Sequence, residues 1–472
     1  MGNKIKRFLS TCLIFCLLVC LVCLSFVYMF SFQISNEMSF GADDMAELEQ
    51  NFAAAGYMDN VSAKNIMPVF VGVSHSSGEE RVGAFCGEAL ENLYADCFEI
   101  AGQYLARGLA EEISEASAED FVRMAKNNGF IYIKYAAAYP KSVIMNFSNK
   151  DTFAQSFSDE YIREIFVFYN NYTASVCAMA FSEGGNSYLY TGSFGFEENF
   201  NNNIANEYNN AEGTFDFTFA SEEANSSFIS KEAFSKKLYS NAVIPETAVE
   251  MPNVSFCGVS DRLEESGVYE AVLSVFTLNP EKISVFTESD GTITFFEEGQ
   301  NVGIGTNGRI GYSAVGMGGI SVGSVIGYNA ENEEYSLRDK IGATLLMAEE
   351  IAEIAGINAD ISIKLSGISY DESGNLVITY YMAYLGVDVA CEENVFSFTL
   401  SGGLIKKAVC SLFDVCAAEE TSVLPNALWL FSAYAAASET CADLCPVYAY
   451  SADAENVPAQ YHSCFRVEEG VK

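Results

Sequence analysis

Histidine is nearly absent from this sequence. Its 472 residues include two histidines, His75 and His462, and a single tryptophan. Histidine is the most frequent general base in enzymes and the commonest metal ligand. A triad or zinc site would therefore depend on these two side chains. The scarcity argues against most hydrolase and zinc-enzyme chemistry, and we expect no enzymatic activity, no cofactor and no metal site.

Basic residues are the second deficit. Lysine and arginine together number 25 against 63 aspartates and glutamates, which gives a formal net charge of −38. A surface of this sign repels nucleic-acid phosphates and anionic lipid headgroups. Nucleic-acid binding is excluded on this ground, and the charge otherwise indicates a solvated acidic exterior.

A glycine motif at residues 301–312 resembles a dinucleotide fingerprint but lacks its surroundings. The segment NVGIGTNGRIGY contains G-x-G-x-x-G, which holds a pyrophosphate only between a buried parallel strand and a helix. Here β-type residues stand on both sides, at 292–298 and 309–314. Because Asn307-Gly308 is a strong hairpin signal, the segment predicts an antiparallel meander.

A second catalytic-looking motif is G-x-S-x-G around Ser321. In hydrolases this serine occupies a sharp strand-to-helix turn and is followed along the chain by an acid and a histidine. The flanking sequence here is rich in glycine and of β type, and His462 is the one histidine that follows. We therefore expect a strand or loop.

The N-terminus contains the longest apolar run. Lys4, Lys6 and Arg7 precede residues 8–32, which carry no charge, and the first acidic residue is Glu37. The run is long enough to cross a bilayer as a helix. The positive-inside rule then leaves the N-terminus in the cytoplasm and exports the rest, as a single-pass cell-membrane protein. A cleaved signal peptide is the open alternative, although its apolar core would be shorter and end in a small-x-small site.

Four cysteines lie in the predicted anchor. Cys12, Cys16, Cys20 and Cys23 fall within roughly 80° of one another on a helix. Small side chains allow close approach between helices in lipid, so this stripe is a candidate partner interface. The alternative is that cysteine serves there as an apolar filler with accidental spacing.

Ten cysteines follow the anchor. Disulfides and buried free thiols both remain open for them. Cys441 and Cys445 have no second pair or nearby histidine, so no zinc site is expected. The ten are Cys86, Cys97, Cys177, Cys257, Cys391, Cys410, Cys416, Cys441, Cys445 and Cys464.

Periodicity beyond the anchor alternates between helices and strands. Helical spacing runs from Ala84 to about Glu112, a second helix starts at Ser117, and a series of strands follows. The Asn/Glu-rich stretch at 197–213 is expected to be an exposed loop. Later, Ser336 and Asp339 form a capping-box pattern that begins a helix.

The C-terminal strands continue the same pattern. Gly356 stops the helix, and strands follow on both sides of the turn at 372–375. A further strand, LIKKAVCSLFDV, follows the turn at 401–403, and another helix is expected after Pro425. The aromatic strand with Tyr380, Tyr381 and Tyr384 should be mostly core, with a partner surface as the minority interpretation.

These patterns predict an α+β chain in which one N-terminal transmembrane helix is followed by exported helix-on-antiparallel-sheet domains. The intervals are a cytoplasmic tail at 1–7, a transmembrane signal-anchor at 8–32, a juxtamembrane linker at 33–60, an N-terminal α+β domain at 61–250, a β-meander at 251–335 and a C-terminal α+β domain at 336–472.

The C-terminal interval resembles the PepSY-like unit of the YycH/YycI-type regulators of Gram-positive bacteria. The resemblance rests on a helix, I-x-L-x-x-I-x-Y, an ESGN turn, a strand ending in YLGVDV and a hairpin on SGG. The segment TITFFEEGQNVGIGTNGRIGYSA is similar to a strand-turn-strand repeat of the same proteins. One anchor followed by an exported body also fits, whereas the many cysteines and the acidic charge depart from the pattern.

The resemblance implies a regulatory protein without enzyme activity. Its partners would be a sensor histidine kinase of a cell-wall two-component system and often a sister regulatory protein, contacted through the membrane helix and the exported domains. The alternative from another class is an anchored or secreted binding module for a peptide, a wall polymer or a small ligand.

Overall fold

The structure is a computed structural model. It describes residues 66, 68–75, 80–108, 113–116, 118–140, 144, 161–170, 175–181, 187–191, 197–219, 222, 242–263, 267–279, 281–327, 335–391, 394–425, 444–452 and 454–463. They all belong to one compact unit, residues 58–472. No helix among them is long and apolar enough to span a membrane. The predicted tail, anchor and linker, residues 1–60, lie outside the described residues, and the boundaries of the three intervals at 61–250, 251–335 and 336–472 stay predictions.

Helices and strands alternate in the N-terminal part, and strands dominate the C-terminal part. The helices are α1 Gly87–Gly108, α2 Ala118–Asn127, α3 Glu197–Asn210, α4 Ser260–Leu263, α5 Val268–Val275, α6 Val322–Ile326 and α7 Leu337–Ile354. The strands are β1 Phe70–His75, β2 Glu80–Ala84, β3 Ile113–Ala116, β4 Phe130–Pro140, β5 Tyr161–Asn170, β6 Ser175–Phe181, β7 Ser187–Thr191, β8 Phe215–Phe219, β9 Val243–Pro245, β10 Glu250–Gly258, β11 Ser284–Thr287, β12 Ile293–Glu297, β13 Gln300–Ile304, β14 Arg309–Ala314, β15 Ile320–Ser321, β16 Ile361–Tyr370, β17 Leu376–Tyr384, β18 Val387–Ala390, β19 Phe396–Ser401, β20 Leu404–Ser411, β21 Phe413–Val423, β22 Leu444–Ala449 and β23 Gln460–Ser463.

The described strands form three sheets. An N-terminal sheet has the order β3-β7-β6-β5-β4-β1-β2-β8-β9, and β10 pairs with β21 in a two-stranded ribbon. A C-terminal sheet has the order β11-β12-β13-β14-β20-β19-β17-β18-β22-β23, with β15 beside β20 and β16 beside β17. Neighbours are antiparallel except for β18 and β22, which run parallel. The α+β class predicted from the sequence is confirmed.

Helices cover both faces of the N-terminal sheet. On one face Phe121 of α2 packs 4.8 Å from the Phe166 ring of β5. On the other face the Tyr94 hydroxyl of α1 lies 3.5 Å from that of Tyr135 in β4. Aromatic and β-branched side chains in these strands, buried on both faces, supply the core.

The expected loop at 197–213 is wrong, because residues 197–210 form helix α3. Phe200 and Ile204 are buried and lie one helical turn apart. They pack α3 against β1, β5 and β6 and against α1. The Tyr208 ring of α3 also lies 6.1 Å from the His75 ring of β1, which adds a contact between this largely polar helix and the sheet.

The C-terminal sheet contains the predicted meander. Strands β12, β13 and β14 pair in sequence, with a tight turn at Glu298 and Gly299. At the second turn Gly308 alone has a positive φ, 76°. A two-residue type I′ turn needs positive φ at both residues. The Asn307-Gly308 signal therefore marks a longer loop that ends in a left-handed glycine.

Helix α7 begins and ends as predicted. The Ser336 side chain accepts the Asp339 N–H, while the Asp339 carboxylate accepts the Ser336 N–H, so the capping box is complete. Gly356 follows the helix with a φ of 65°. The hydroxyls of Thr344 in α7 and Tyr380 in β17 are 2.6 Å apart, which fixes α7 on one face of the C-terminal sheet.

Two predicted single strands are broken. The run ending in YLGVDV turns back at Leu385 and Gly386, whose φ values are 49° and 86°, and thus supplies both β17 and β18. The run LIKKAVCSLFDV separates at Leu412, because β20 stays in the C-terminal sheet while β21 pairs with β10. The helix expected after Pro425 falls largely outside the described residues.

The N-terminal and C-terminal sheets meet at the start of α1. The Gly87 N–H donates to the Leu385 carbonyl at 2.6 Å. The Tyr139 hydroxyl of β4 donates to the Leu365 carbonyl of β16. Buried Lys364 donates to the Gly386 carbonyl at 3.0 Å, and its desolvation lowers the pKa of its ammonium group, opposed by nearby Asp388 and Glu91.

Candidate partner interface

The predicted transmembrane stripe cannot be placed in the fold. Cys12, Cys16, Cys20 and Cys23 lie outside the described residues. Their role as a partner interface stays a prediction.

The aromatic strand β17 belongs to the core. Tyr380, Tyr381 and Tyr384 are all buried. The Tyr380 hydroxyl also donates to the Ile341 carbonyl at 3.0 Å, and the Tyr384 ring lies 6.4 Å from that of Tyr448. The core interpretation of this strand is therefore confirmed, and these rings are not available to a partner.

The serine of the G-x-S-x-G motif is followed by a helix, which the sequence did not predict. Ser321 ends β15 and caps the short α6. Its φ of −67° is ordinary, whereas a nucleophile elbow is strained. His462 lies on β23, five strand spacings from β20, or roughly 24 Å along the sheet. The histidine that follows the motif in the chain is therefore on a strand remote from that of Ser321.

The described cysteines include both thiols and a disulfide. Cys445 is disulfide-bonded. Cys86, Cys97, Cys257, Cys410 and Cys416 are free thiols, of which Cys257 is exposed. The described residues contain no group of three or more His, Cys, Asp or Glu side chains that could hold a metal ion. Cys441 and Cys464 are not among the described residues.

The most unusual surface feature is a set of exposed apolar side chains at one corner of the C-terminal sheet. We call it the apolar corner; it consists of Val285, Phe286, Phe296, Val315 and Met317. Val285 is 58%, Phe286 64% and Met317 95% exposed. Contiguous apolar patches are uncommon on soluble proteins and mark contact sites.

Strand register places the two phenylalanines side by side. Phe286 of β11 pairs with Thr294 of β12, and Ser284 pairs with Phe296. Residues two apart share a face of a sheet, so Phe286 and Phe296 are diagonal neighbours on one face. It is the face opposite α5 and α7, since Phe295, on the other side of β12, contacts Tyr269 of α5 at 5.8 Å.

The loop after β14 completes the corner. The Val315 N–H donates to the Gly299 carbonyl at 2.9 Å, which places the loop beside the turn that follows β12. Lys406 donates to the carbonyls of Gly316 and Gly318 on both sides of Met317. The lysine holds the loop in a shape that leaves the Met317 side chain in solvent.

Acidic residues surround the corner. Both ends of β11 and the turn after β12 carry carboxylates, with Lys282 as the one basic residue beside β11. The carboxylates belong to Glu281, Glu288, Asp290, Glu297 and Glu298. These five carboxylates outnumber the lysines at the corner, Lys282 and Lys406, so the rim around the apolar centre is negative in sum.

Sequence reasoning missed this surface. The predicted meander began at residue 292, although SVFT at 284–287 contains β-branched and aromatic residues and precedes a turn at Asp290-Gly291. That pattern was sufficient to predict the hairpin of β11 and β12. It does not reveal that β11 is the outermost strand, because strand order depends on contacts far apart in the chain.

Comparisons with known proteins give matches to solved structures. No protein-family model and no curated protein match the chain. Dehydratase domains from the CurF and CurK modules of the curacin polyketide synthase have 10% and 8% identity over 65% of this chain and 92% of theirs, with TM-scores of 0.12 and 0.11. The chain is similar to the crystal structure of YycH from Bacillus subtilis, with 10% identity over 86% of this chain and 97% of that chain and a TM-score of 0.46.

Proposed function

We propose that this chain is a membrane-anchored extracytoplasmic regulatory protein without enzyme activity. It acts by contact with a sensor histidine kinase of the cell-wall two-component type and with a sister regulatory protein. The anchor pattern of residues 1–32 and the resemblance of the C-terminal interval to the YycH/YycI-type regulators support this assignment.

The observation that carries the proposal is the apolar corner. An exposed cluster with Phe286, Phe296 and Met317 on a chain of net charge −38 has no role in the core of its own protein. Aromatic residues and methionine are enriched at the centre of protein-contact surfaces, and a polar rim surrounds that centre. A contact function therefore accounts for the feature that folding alone does not require.

Cysteine chemistry supports the location outside the cytoplasm. Cys445 is disulfide-bonded, and disulfides persist mainly in oxidising compartments. The free thiols Cys97 and Cys410 are buried, where oxidants reach them poorly. Both observations fit an exported body.

The test is co-purification of the full-length protein from its native membrane after mild crosslinking. The comparison protein has residues 8–32 replaced by an unrelated transmembrane helix. We expect a sensor kinase with the native anchor and its loss with the replacement. Recovery of no kinase with either version would overturn the proposal in favour of a ligand-binding module.

A matched pair of variants tests the cysteine stripe. Leucine at Cys12, Cys16, Cys20 and Cys23 enlarges the face that would pack against a partner helix. The control changes Leu18 and Leu21 to alanine, since helical spacing would place these residues on the side of the predicted helix opposite the cysteines. We expect the amount of kinase recovered to fall with the stripe variant only. Equal recovery with both variants would show that the four cysteines are apolar filler and not a partner interface.

A further inference from the structure

Strand β11 is one of the two outermost strands of the C-terminal sheet, and no described strand pairs with its outer edge. Among the described strands, β11 pairs with β12 alone, and all four of its residues are exposed. In an antiparallel edge strand, half of the N–H and C=O groups point away from the sheet. Within its four residues β11 has no proline, no bulge and no charged side chain, so its short length is the one usual protection of an edge that it has.

Side chains on both faces of β11 are suited to an added strand. Val285 lies on the face covered by α5, beside Phe295, and Phe286 lies on the open face near Phe296. Residues of an incoming strand would stand opposite β11 and meet an apolar side chain on each face. The favoured occupant therefore has consecutive apolar residues at its centre.

The charged residues at the two ends of β11 determine which kind of segment can pair with it favourably. Glu281 and Lys282 lie before the strand, and Glu288 and Asp290 lie after it, so these four charges sum to −2. A second copy of this chain, with net charge −38, is repelled over a long range. The chain's own residues 33–60 contain acidic residues and no lysine or arginine. Neither is complementary to this edge, whereas a segment with basic ends is.

We propose that β11 accepts an extended segment of a partner protein as an added strand, and that this segment has about four apolar residues flanked by lysine or arginine. The inference deepens the proposed function, on which it rests for the partner being a protein. Backbone hydrogen bonds would supply affinity, and the rim of carboxylates would supply selection for basic ends.

The test uses the full-length protein in detergent micelles and the synthetic peptide acetyl-KKVFVFKK-amide. We expect binding of the peptide, together with slower hydrogen exchange at the amides of residues 284–287. The analogue with glutamates in place of the lysines should not bind. A peptide N-methylated at its four central residues, which has lost those N–H donors, should bind about tenfold more weakly.

A matched pair of protein variants separates strand addition from charge attraction. Val285→Ser should weaken binding about tenfold. The control is Val423→Ser, on β21. Val423 is 55% exposed and Val285 is 58% exposed, so the control makes the same change at a similar exposure and should leave binding unchanged. Equal binding by the N-methylated peptide, or by Val285→Ser, would overturn strand addition and leave only electrostatic attraction.

Two further results would overturn the inference. A concentration-dependent dimer of the protein alone that Val285→Ser abolishes, seen by sedimentation, would identify a second copy as the occupant. If the peptide does not bind but the kinase is still recovered, strand addition is wrong and the proposed function stands. If the peptide binds but no kinase is recovered, the proposed function is wrong and strand addition at β11 stands.

Discussion

Glycine is required at position 308 for two reasons, the backbone conformation and the lack of room for a side chain. Its φ is 76°, and an added Cβ would lie 2.6 Å from the Leu412 carbonyl oxygen, a backbone atom that cannot rotate away. We expect Gly308→Ala to lower the free energy of unfolding by about 3 kcal/mol, from left-handed strain and overpacking together. Urea denaturation followed by circular dichroism measures this.

The control for that prediction is Gly374→Ala. Gly374 has a similar φ of 80°, but no atom lies within 4 Å of its added Cβ. The loss there should be about 1 kcal/mol, from the backbone conformation alone. Equal losses at the two glycines would show that contact with Leu412 contributes nothing.

At the scale of elements, a carboxyl pair connects helices α1 and α3. Partial burial, then the charge of Asp96 and a hydrogen bond with it, raises the pKa of Glu207 from 4.5 to about 7. A raised folded-state pKa contributes stability that is present below pH 4.5 and lost as the pH rises through 7. We therefore expect the urea concentration at the unfolding midpoint, measured relative to that of Glu207→Gln, to decrease as the pH rises from 4.5 to 7.

Glu212→Gln is the control for the helix contact. Glu212 is exposed and lies just past the end of α3. The difference in urea midpoint between Glu212→Gln and the unmodified protein should stay constant over the same pH range. An unfolding midpoint for Glu207→Gln that follows the unmodified protein at every pH would show that the α1–α3 contact has no such proton linkage.

At the scale of the whole molecule, the junction at the start of α1 predicts that both sheets unfold together. Cys97 reports on the N-terminal side and Cys410 on the C-terminal sheet, and burial raises the pKa of both thiols. We expect pulsed thiol labelling across a urea gradient to modify both at the same urea concentration. Cys257, which is exposed, should react without urea.

Tyr139→Phe tests whether the junction causes that cooperativity. The substitution removes the hydrogen bond from β4 to the Leu365 carbonyl while it keeps the ring. The labelling midpoints of Cys97 and Cys410 should both move to lower urea. Midpoints that differ in the unmodified protein would contradict a single cooperative unit.

Local signals in the sequence were sufficient for much of the fold. The capping box of Ser336 and Asp339, the strands of the meander and the α+β class follow from residues close together in the chain, where side-chain spacing and turn chemistry act. Helix α3 was missed because two buried side chains, Phe200 and Ile204, outweigh a polar composition that favours a loop.

The sequence by itself determined the acidic charge, the anchor pattern and the scarcity of catalytic side chains. Only the tertiary structure decided that Leu385 and Gly386 end a strand and that β11 is an edge. The physical reason is that strand order and exposure depend on pairings between distant residues. Those pairings leave no mark on the local periodicity of a strand, so Phe286 at an edge and Phe398 in the core look alike in sequence.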